Sequence, residues 1–291
     1  MKLPAFDYAC PETLAEATGI LAASEGGARI IAGGQSLLPI MAFRLAAPEI
    51  LVDLRRIPGL RDIEIGDDGI RLGALVRWRD ILDSAELARA IPLLPDAIGH
   101  VAHYQVRNRG TLGGSLGHAD SAAEFPCIAI TCEAEIEVVG PAGTRRLAAG
   151  ELIVGPMETS LGEDEIITAV RFPAWPASRR WGFDEFALRH GDLAIAAVAI
   201  FYDLDGSRIV NAHVGVMGAT ETPRRLASAE AALDGHELND AVIAAAAEAA
   251  AAEIEPTEDM HASAAYRRSL VATLTKRALR ASQNREGGKA E

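Results

Sequence analysis

Two glycine doublets carry the chemistry legible in this chain: Ala32-Gly33-Gly34-Gln35-Ser36 and Thr111-Leu112-Gly113-Gly114-Ser115. Glycine has no Cβ, so the backbone can approach a ligand closely and reach positive φ without a steric penalty. Consecutive amides in such a turn form a concave nest for phosphate oxygens, and a helix opening just after it strengthens the attraction. One doublet is most often only a tight turn. Two of them, each bracketed by small hydroxyl or amide residues, favour a ligand that carries a diphosphate.

Other reactive residue types form no constellation. His100, His103 and His190 lack metal-ligand spacing. Cys10, Cys127 and Cys132 are odd in number and contain no CxxC pair, which argues against a disulfide framework and against a zinc or iron–sulfur site in this chain. Cys127 and Cys132 read as core filling on an apolar helix. Arg107 and Arg109 either brace the second loop through local carbonyls, the preferred reading, or meet a partner's acidic surface. His118 either touches a ligand or is satisfied by backbone. Asp192 either orients a ligand edge or ends a secondary element. No nucleophile or acid–base set emerges, and neither loop fits GxGxxG, so the dinucleotide fingerprint is absent.

The elements that must hold the loops follow from periodicity and breakers. Pro11-Glu12-Thr13 opens an amphipathic helix to Ala23, Gly26-Gly27 ends it, and Arg29-Ile30-Ile31-Ala32 is a short buried strand. Leu51-Val52-Asp53-Leu54 is another strand, closing a small α/β unit near Pro58. Ile63–Ile65 and Ile70–Leu72 flank Gly66-Asp67-Asp68-Gly69 as a hairpin. Helical turns are expected over Trp78–Ala90 and Pro92–Val101, and a helix over Glu124–Cys132. Glu133–Val139 turns at Pro141-Ala142-Gly143 into a ribbon, and Glu165–Phe172 adds a strand before a linker at Pro173 and Pro176. Two β runs, Ala194–Tyr202 and Arg208–Val216, precede an alanine-rich helix over Ala241–Ala252 and a final helix. Its buried face is read as Tyr266, Leu270, Leu274 and Ala278.

The chain has 291 residues, 49% of them hydrophobic, and a formal net charge of −13. A surface that binds nucleic acid or anionic lipid needs clustered Lys and Arg, so both partners are disfavoured, and any phosphate must be held by backbone amides. No apolar run is long enough to span a bilayer, and the start lacks the apolar core of a secretory signal. A reducing cytoplasm is the expected setting.

With Ala32-Gly33-Gly34-Gln35-Ser36-Leu37-Leu38-Pro39 and Gln105-Val106-Arg107-Asn108-Arg109-Gly110-Thr111-Leu112-Gly113-Gly114-Ser115, the chain resembles the FAD-binding medium subunit of the molybdenum hydroxylases, the xanthine dehydrogenase and carbon monoxide dehydrogenase group. Arg189-His190-Gly191-Asp192-Leu193-Ala194 is similar to that family's RxGDxA-type segment, and the likeness covers nearly the whole length. The resemblance implies an α+β, vanillyl-alcohol-oxidase-type (PCMH-type) FAD-binding fold. It has two lobes, 1–57 and 58–175, followed by a C-terminal domain, 176–285, built on three antiparallel strands with helices; a frayed tail, 286–291, remains. It further implies that Ala32, Gly33, Gly34, Gln35 and Ser36 cradle the FAD diphosphate, flanked by Ile30, Ile31 and Leu37. Gly110, Thr111, Gly113, Gly114 and Ser115, with Val101 and His118, would face the diphosphate and the flavin. Glu124 would accept from cofactor hydroxyls, and Ile166 and Ile167 would lie near the isoalloxazine. Three positions depart from the pattern: Ser121 stands where proline is usual, Glu124 is one methylene longer than the common aspartate, and Leu193 replaces a frequent aromatic residue.

The function so implied is electron transfer. A large subunit would hold the molybdopterin cofactor, a small subunit two [2Fe–2S] clusters, and FAD in this chain would pass electrons to an external acceptor within a dimer of heterotrimers. A self-contained FAD-dependent oxidase or dehydrogenase and a non-catalytic scaffold subunit that has lost FAD are the rival classes.

Overall fold

The computed structural model describes residues 2–285; the tail assigned to 286–291 lies outside the described residues. The N-terminal part is a three-stranded parallel sheet in the order β1-β3-β2, from β1 (Asp7–Ala9), β2 (Ala28–Ile31) and β3 (Ile50–Asp53). Parallel neighbours need crossovers, which α1 (Leu14–Ala23) and α2 (Leu37–Ala42) supply. Thr13 caps α1 by accepting the Glu16 amide at 3.1 Å, and Ala17, Thr18 and Leu21 form its buried stripe.

The hairpin β4 (Ile63–Gly66) and β5 (Gly69–Gly73) begins a second sheet, and five short helices follow: α3 (Trp78–Leu82), α4 (Ala85–Ala90), α5 (Leu93–Ile98), α6 (Tyr104–Arg107) and α7 (Leu112–His118). Next come α8 (Glu124–Thr131), the ribbon β6 (Glu135–Gly140) and β7 (Gly143–Ala148), α9 (Ala149–Leu152), the two-stranded β8 (Ile153–Gly155) and β9 (Glu158–Thr159), and β10 (Ile166–Pro173). The sheet order β4-β5-β10-β6-β7 places β10 in the centre, antiparallel to both neighbours. A central strand is covered on both faces, and β10 is accordingly a near-continuous apolar run, Ile-Ile-Thr-Ala-Val.

The C-terminal part is a four-stranded antiparallel sheet, β11 (Arg180–Phe186), β12 (Ala196–Asp205), β13 (Arg208–Met217) and β14 (Arg224–Arg225), backed by α10 (Ala227–Leu233), α11 (Asp240–Glu253) and α12 (Ala264–Ser282). The expected three strands are thus four. The long pair β12–β13 matches the two expected β runs, whereas β11 follows the Pro-marked linker as a strand that periodicity does not reveal. The final helix buries Leu270, Leu274 and Ala278 as expected, but Tyr266 is 44% exposed. The buried face is wider than one row and also takes in Arg267, Val271 and Thr275, with Tyr266 lying outside it at the helix start.

One apolar core runs through the middle of the molecule. It joins Leu72, Val76 and Trp78 to Phe125 and Ile128 of α8, and continues into Phe183, Phe201 and Met217 of the C-terminal sheet. Cys127 and Cys132 lie in it, both buried. α8 is therefore covered on both sides, which fixes its first residue, Glu124, in place.

Candidate functional site

Between the parallel sheet and the central part lies a cleft of about 860 Å³, within the ~300–1,000 Å³ range of ligand pockets. Its first wall is the turn from β2 into α2. Ile30, Ala32, Gly33, Gly34, Gln35, Ser36 and Leu37 line it, but Ile31 does not. Successive strand side chains point to opposite faces, so Ile31 sits beneath the loop, its Cδ1 close to the position a Gly34 Cβ would take. Gly34 has φ +72°, a conformation that glycine adopts without strain. Among the described residues, no acceptor engages the N–H groups of Gly33, Gly34, Gln35 or Ser36, while the Gln35 side-chain amide donates to the Gly33 carbonyl at 3.1 Å. This loop is a row of unspent donors.

The second loop is built differently, and the expected amide nest there is corrected. Gly113 and Gly114 do not precede the helix but form the first turn of α7, which Thr111 caps. Its amides are spent within the chain: Leu112 donates to Val76 O, Gly113 to Ala74 O, Gly114 to Thr111 Oγ1 and Ser115 to Thr111 O. What these glycines provide is close approach. A Cβ on Gly113 would meet Ala74 at 2.6 Å, and one on Gly33 would collide with the Arg109 carbonyl. The two loops therefore touch backbone to backbone, and Arg107 braces the connection by donating to the carbonyls of Val101 and Ala102, both at 2.9 Å.

Val101, Gly110, Thr111, Gly113, Gly114, Ser115, His118, Glu124, Ile166 and Ile167 all line the same cleft. Sequence reasoning does not find Ala74, Leu75 and Trp78 after β5, nor Met157, Glu158, Thr159, Leu161 and Gly162, which complete the walls. These residues carry no motif, and only the folded sheet brings them to the cleft. Asp192 and Leu193 also line it, with Leu193 64% exposed at the rim.

Glu124 is the unusual side chain. The residue is 6% exposed, and burial pushes its carboxyl up to about 7; its own backbone amide opposes the rise and Asp120 adds to it. Between the ordinary value of 4.5 and about 7, the folded chain holds a proton that the unfolded chain has released. Stability therefore falls as pH rises through that window, by on the order of 3 kcal/mol. Glu124→Gln in the cofactor-free chain is expected to raise the thermal midpoint at pH 8 and change it little at pH 5. Equal effects at both pH values would contradict the buried-acid account.

Among the described residues, no group of three or more His, Cys, Asp or Glu could hold a metal, and no helix is long and apolar enough to cross a membrane.

The class this architecture defines is evident from comparison. Residues 4–175 match the family described as FAD binding domain in molybdopterin dehydrogenase, and residues 181–282 match the CO dehydrogenase flavoprotein C-terminal domain. The chain belongs to this family, the FAD-binding medium subunits of molybdenum hydroxylases. It is 43% identical over 279 residues to the nicotine 6-hydroxylase medium subunit of Paenarthrobacter nicotinovorans, covering 96% of this chain and 98% of that one. Against the carbon monoxide dehydrogenase medium chain of Hydrogenophaga pseudoflava the identity is 33%, with 96% and 97% covered. Among solved structures, a carbon monoxide dehydrogenase from that organism superposes with a TM-score of 0.95 at 35% identity, covering 98% of this chain and 100% of that one. Quinoline 2-oxidoreductase from Pseudomonas putida 86 gives 0.92 at 39%, covering 97% and 99%. The chain is thus a flavoprotein subunit of a multi-subunit oxidoreductase, with FAD as its cofactor.

Proposed function

We propose that this chain receives electrons from two [2Fe–2S] clusters of a small partner subunit and passes them through FAD to an external acceptor. A large molybdopterin subunit would oxidise the substrate, in a cytoplasmic dimer of heterotrimers. The division into lobes at 57/58 and 175/176 belongs to the same reading. The observation that carries it is the first loop, whose four residues Gly33–Ser36 line a cleft of cofactor size while their amides meet no acceptor among the described residues. In an acidic protein, backbone donors are the means left to hold a diphosphate. On this reading Gly33–Ser36 bind the diphosphate, Glu124 accepts from cofactor hydroxyls, and Ile166 and Ile167 form an apolar wall. Bound FAD supplies the ability to exchange electrons singly or in pairs. The likeness over nearly its whole length to medium subunits of multi-subunit oxidoreductases favours electron transfer over a self-contained oxidase.

No histidine or cysteine with flavin-linking placement adjoins the first loop, so acid precipitation is expected to release FAD into the supernatant. The FAD-loaded chain alone should show no substrate-driven flavin reduction in rapid-mixing spectroscopy and should gain it when the cluster-bearing and molybdopterin subunits are added. Flavin reduction by an organic substrate in the isolated chain would overturn the subunit reading.

A further inference from the structure

Behind the cleft lies a group of titratable side chains around a buried carboxyl, Glu185, that the reading above leaves unused. Glu185 projects from β11 with its side chain 3% exposed, and its Oε2 has no hydrogen-bond partner among the described residues. Its Oε1 lies 4.0 Å from His100 Nδ1. His100 follows α5, packs edge-on against Phe183 at 5.1 Å and stacks on His190 at 6.1 Å. The group adjoins the cleft at three points: His100 directly precedes the lining residues Val101 and Ala102, His190 precedes Gly191 and Asp192, and Glu124 is itself part of the wall.

The charges around it do not balance. Glu185 feels the negative charge of Glu124 at the start of α8 and of Asp184 beside it on its own strand, and Glu124 also feels Asp120. The cations on the far side are committed elsewhere: Arg277 pairs with Asp184 at 2.6 Å, and Arg285 pairs with Asp96 at 2.8 Å while covering Trp181. His100 feels Asp96, His190 and Asp184, and burial holds it below the ordinary imidazole value. Two buried carboxyls with no dedicated cation among the described residues cannot both ionise freely. Burial pushes Glu185 up to about 8 and Glu124 up to about 7, so near neutrality the pair holds a proton and retains room for another.

We propose that Glu185, Glu124 and His100 form a proton-exchange site that compensates the negative charge placed in the cleft when its bound flavin is reduced. The inference rests on the cleft being the FAD site. Two electrons, supplied singly by iron–sulfur clusters, leave two negative charges on the flavin. One proton bound to the isoalloxazine neutralises one of them. The second proton converts the ionised carboxylate of the Glu124–Glu185 pair to its acid, delivered from solvent by His100, whose side chain is 36% exposed. Reoxidation by the external acceptor removes both electrons and releases both protons.

The test uses the full chain with FAD, verified first by flavin absorbance, and electrochemical reduction between pH 7 and 9. The dependence of the flavin midpoint potential on pH should correspond to about one proton per electron. In Glu185→Gln, which keeps the side-chain size, that slope should fall to about half. The reduced-minus-oxidised infrared spectrum of the unaltered chain should gain a protonated-carboxyl band that shifts in D₂O. Because this reading needs no variant, it decides the matter even if Glu185→Gln does not fold. Flavin present with no such band, or an unchanged slope in Glu185→Gln, overturns the proposal alone. A purified chain that cannot bind flavin overturns the cofactor reading and the proposal with it.

Discussion

Gly33→Val is expected to weaken retention of FAD sharply and to destabilise the chain as well. A Cβ at this position runs into the Arg109 carbonyl and comes within 3.0 Å of the Gly110 Cα, so the two walls of the cleft can meet only if residue 33 has no side chain. Valine must push them apart. Overpacking of this kind costs about 1–3 kcal/mol, and the same displacement moves the unspent amides of Gly33–Ser36 out of line. A loss of similar size in binding energy weakens affinity roughly 5- to 150-fold. Flavin absorbance after gel filtration and a thermal melt would measure both effects. Gly117→Ala serves as the control, since no atom lies within 4 Å of a Cβ there although the residue lines the same cleft. Full flavin occupancy and an unchanged melt in Gly33→Val would mean that the first loop is an ordinary turn.

Arg267→Ala should cost more in stability than any surface change. Arg267 is 4% exposed on α12, and its Nη1 donates to the carbonyls of Ile195 and Gly218 at 2.6 and 2.5 Å while Nη2 reaches Asp259 at 2.6 Å. It ties the start of β12 to the end of β13. Losing the guanidinium leaves two buried carbonyls without their donor, at about 1–3 kcal/mol for each such group, whereas its ion-pair partner Asp259 has a side chain 44% exposed and adds little. Because Ile195 closely follows the cleft residues Asp192 and Leu193, flavin should also leave faster. Urea unfolding followed by tryptophan fluorescence gives the first number and flavin-release kinetics the second. A stability loss below about 1 kcal/mol, the scale of an exposed pair, would show that the contacts are incidental.

Much of the architecture is legible in the amino-acid sequence, for definite reasons. Strands with strong alternation or continuous apolar runs, such as β10 and β12, announce themselves, and so do helices with a clear cap, such as Thr13 for α1. β11 does not, because its sequence, Arg-Trp-Gly-Phe-Asp-Glu-Phe, mixes a glycine and two acids into a short run. Its Gly182 is explained only by α12, whose Ala278 carbonyl occupies the space a Cβ would need. The glycine loops are legible as a pair but not in their division of labour. Whether an amide is free depends on which distant carbonyl reaches it, and Ala74 and Val76 cannot be paired with Gly113 and Leu112 from spacing alone. Glu185 and Trp78 stay hidden for the same reason, since burial and cleft position are properties of the assembled sheets.

The core that passes from β5 through α8 into β11–β13 has a consequence for how the molecule comes apart. Phe125 and Ile128 on one side, and Phe183, Phe201 and Met217 on the other, belong to one apolar cluster, although the chain between them crosses the proline-marked linker. Opening the C-terminal sheet therefore uncovers the helix whose first residue is Glu124, and the wall of the cleft loosens with it. A ligand held in that cleft favours the closed molecule by mass action, so its grip extends to strands it never touches. Melting of the C-terminal sheet and escape of the cofactor then become a single cooperative event, one opening of the molecule rather than two.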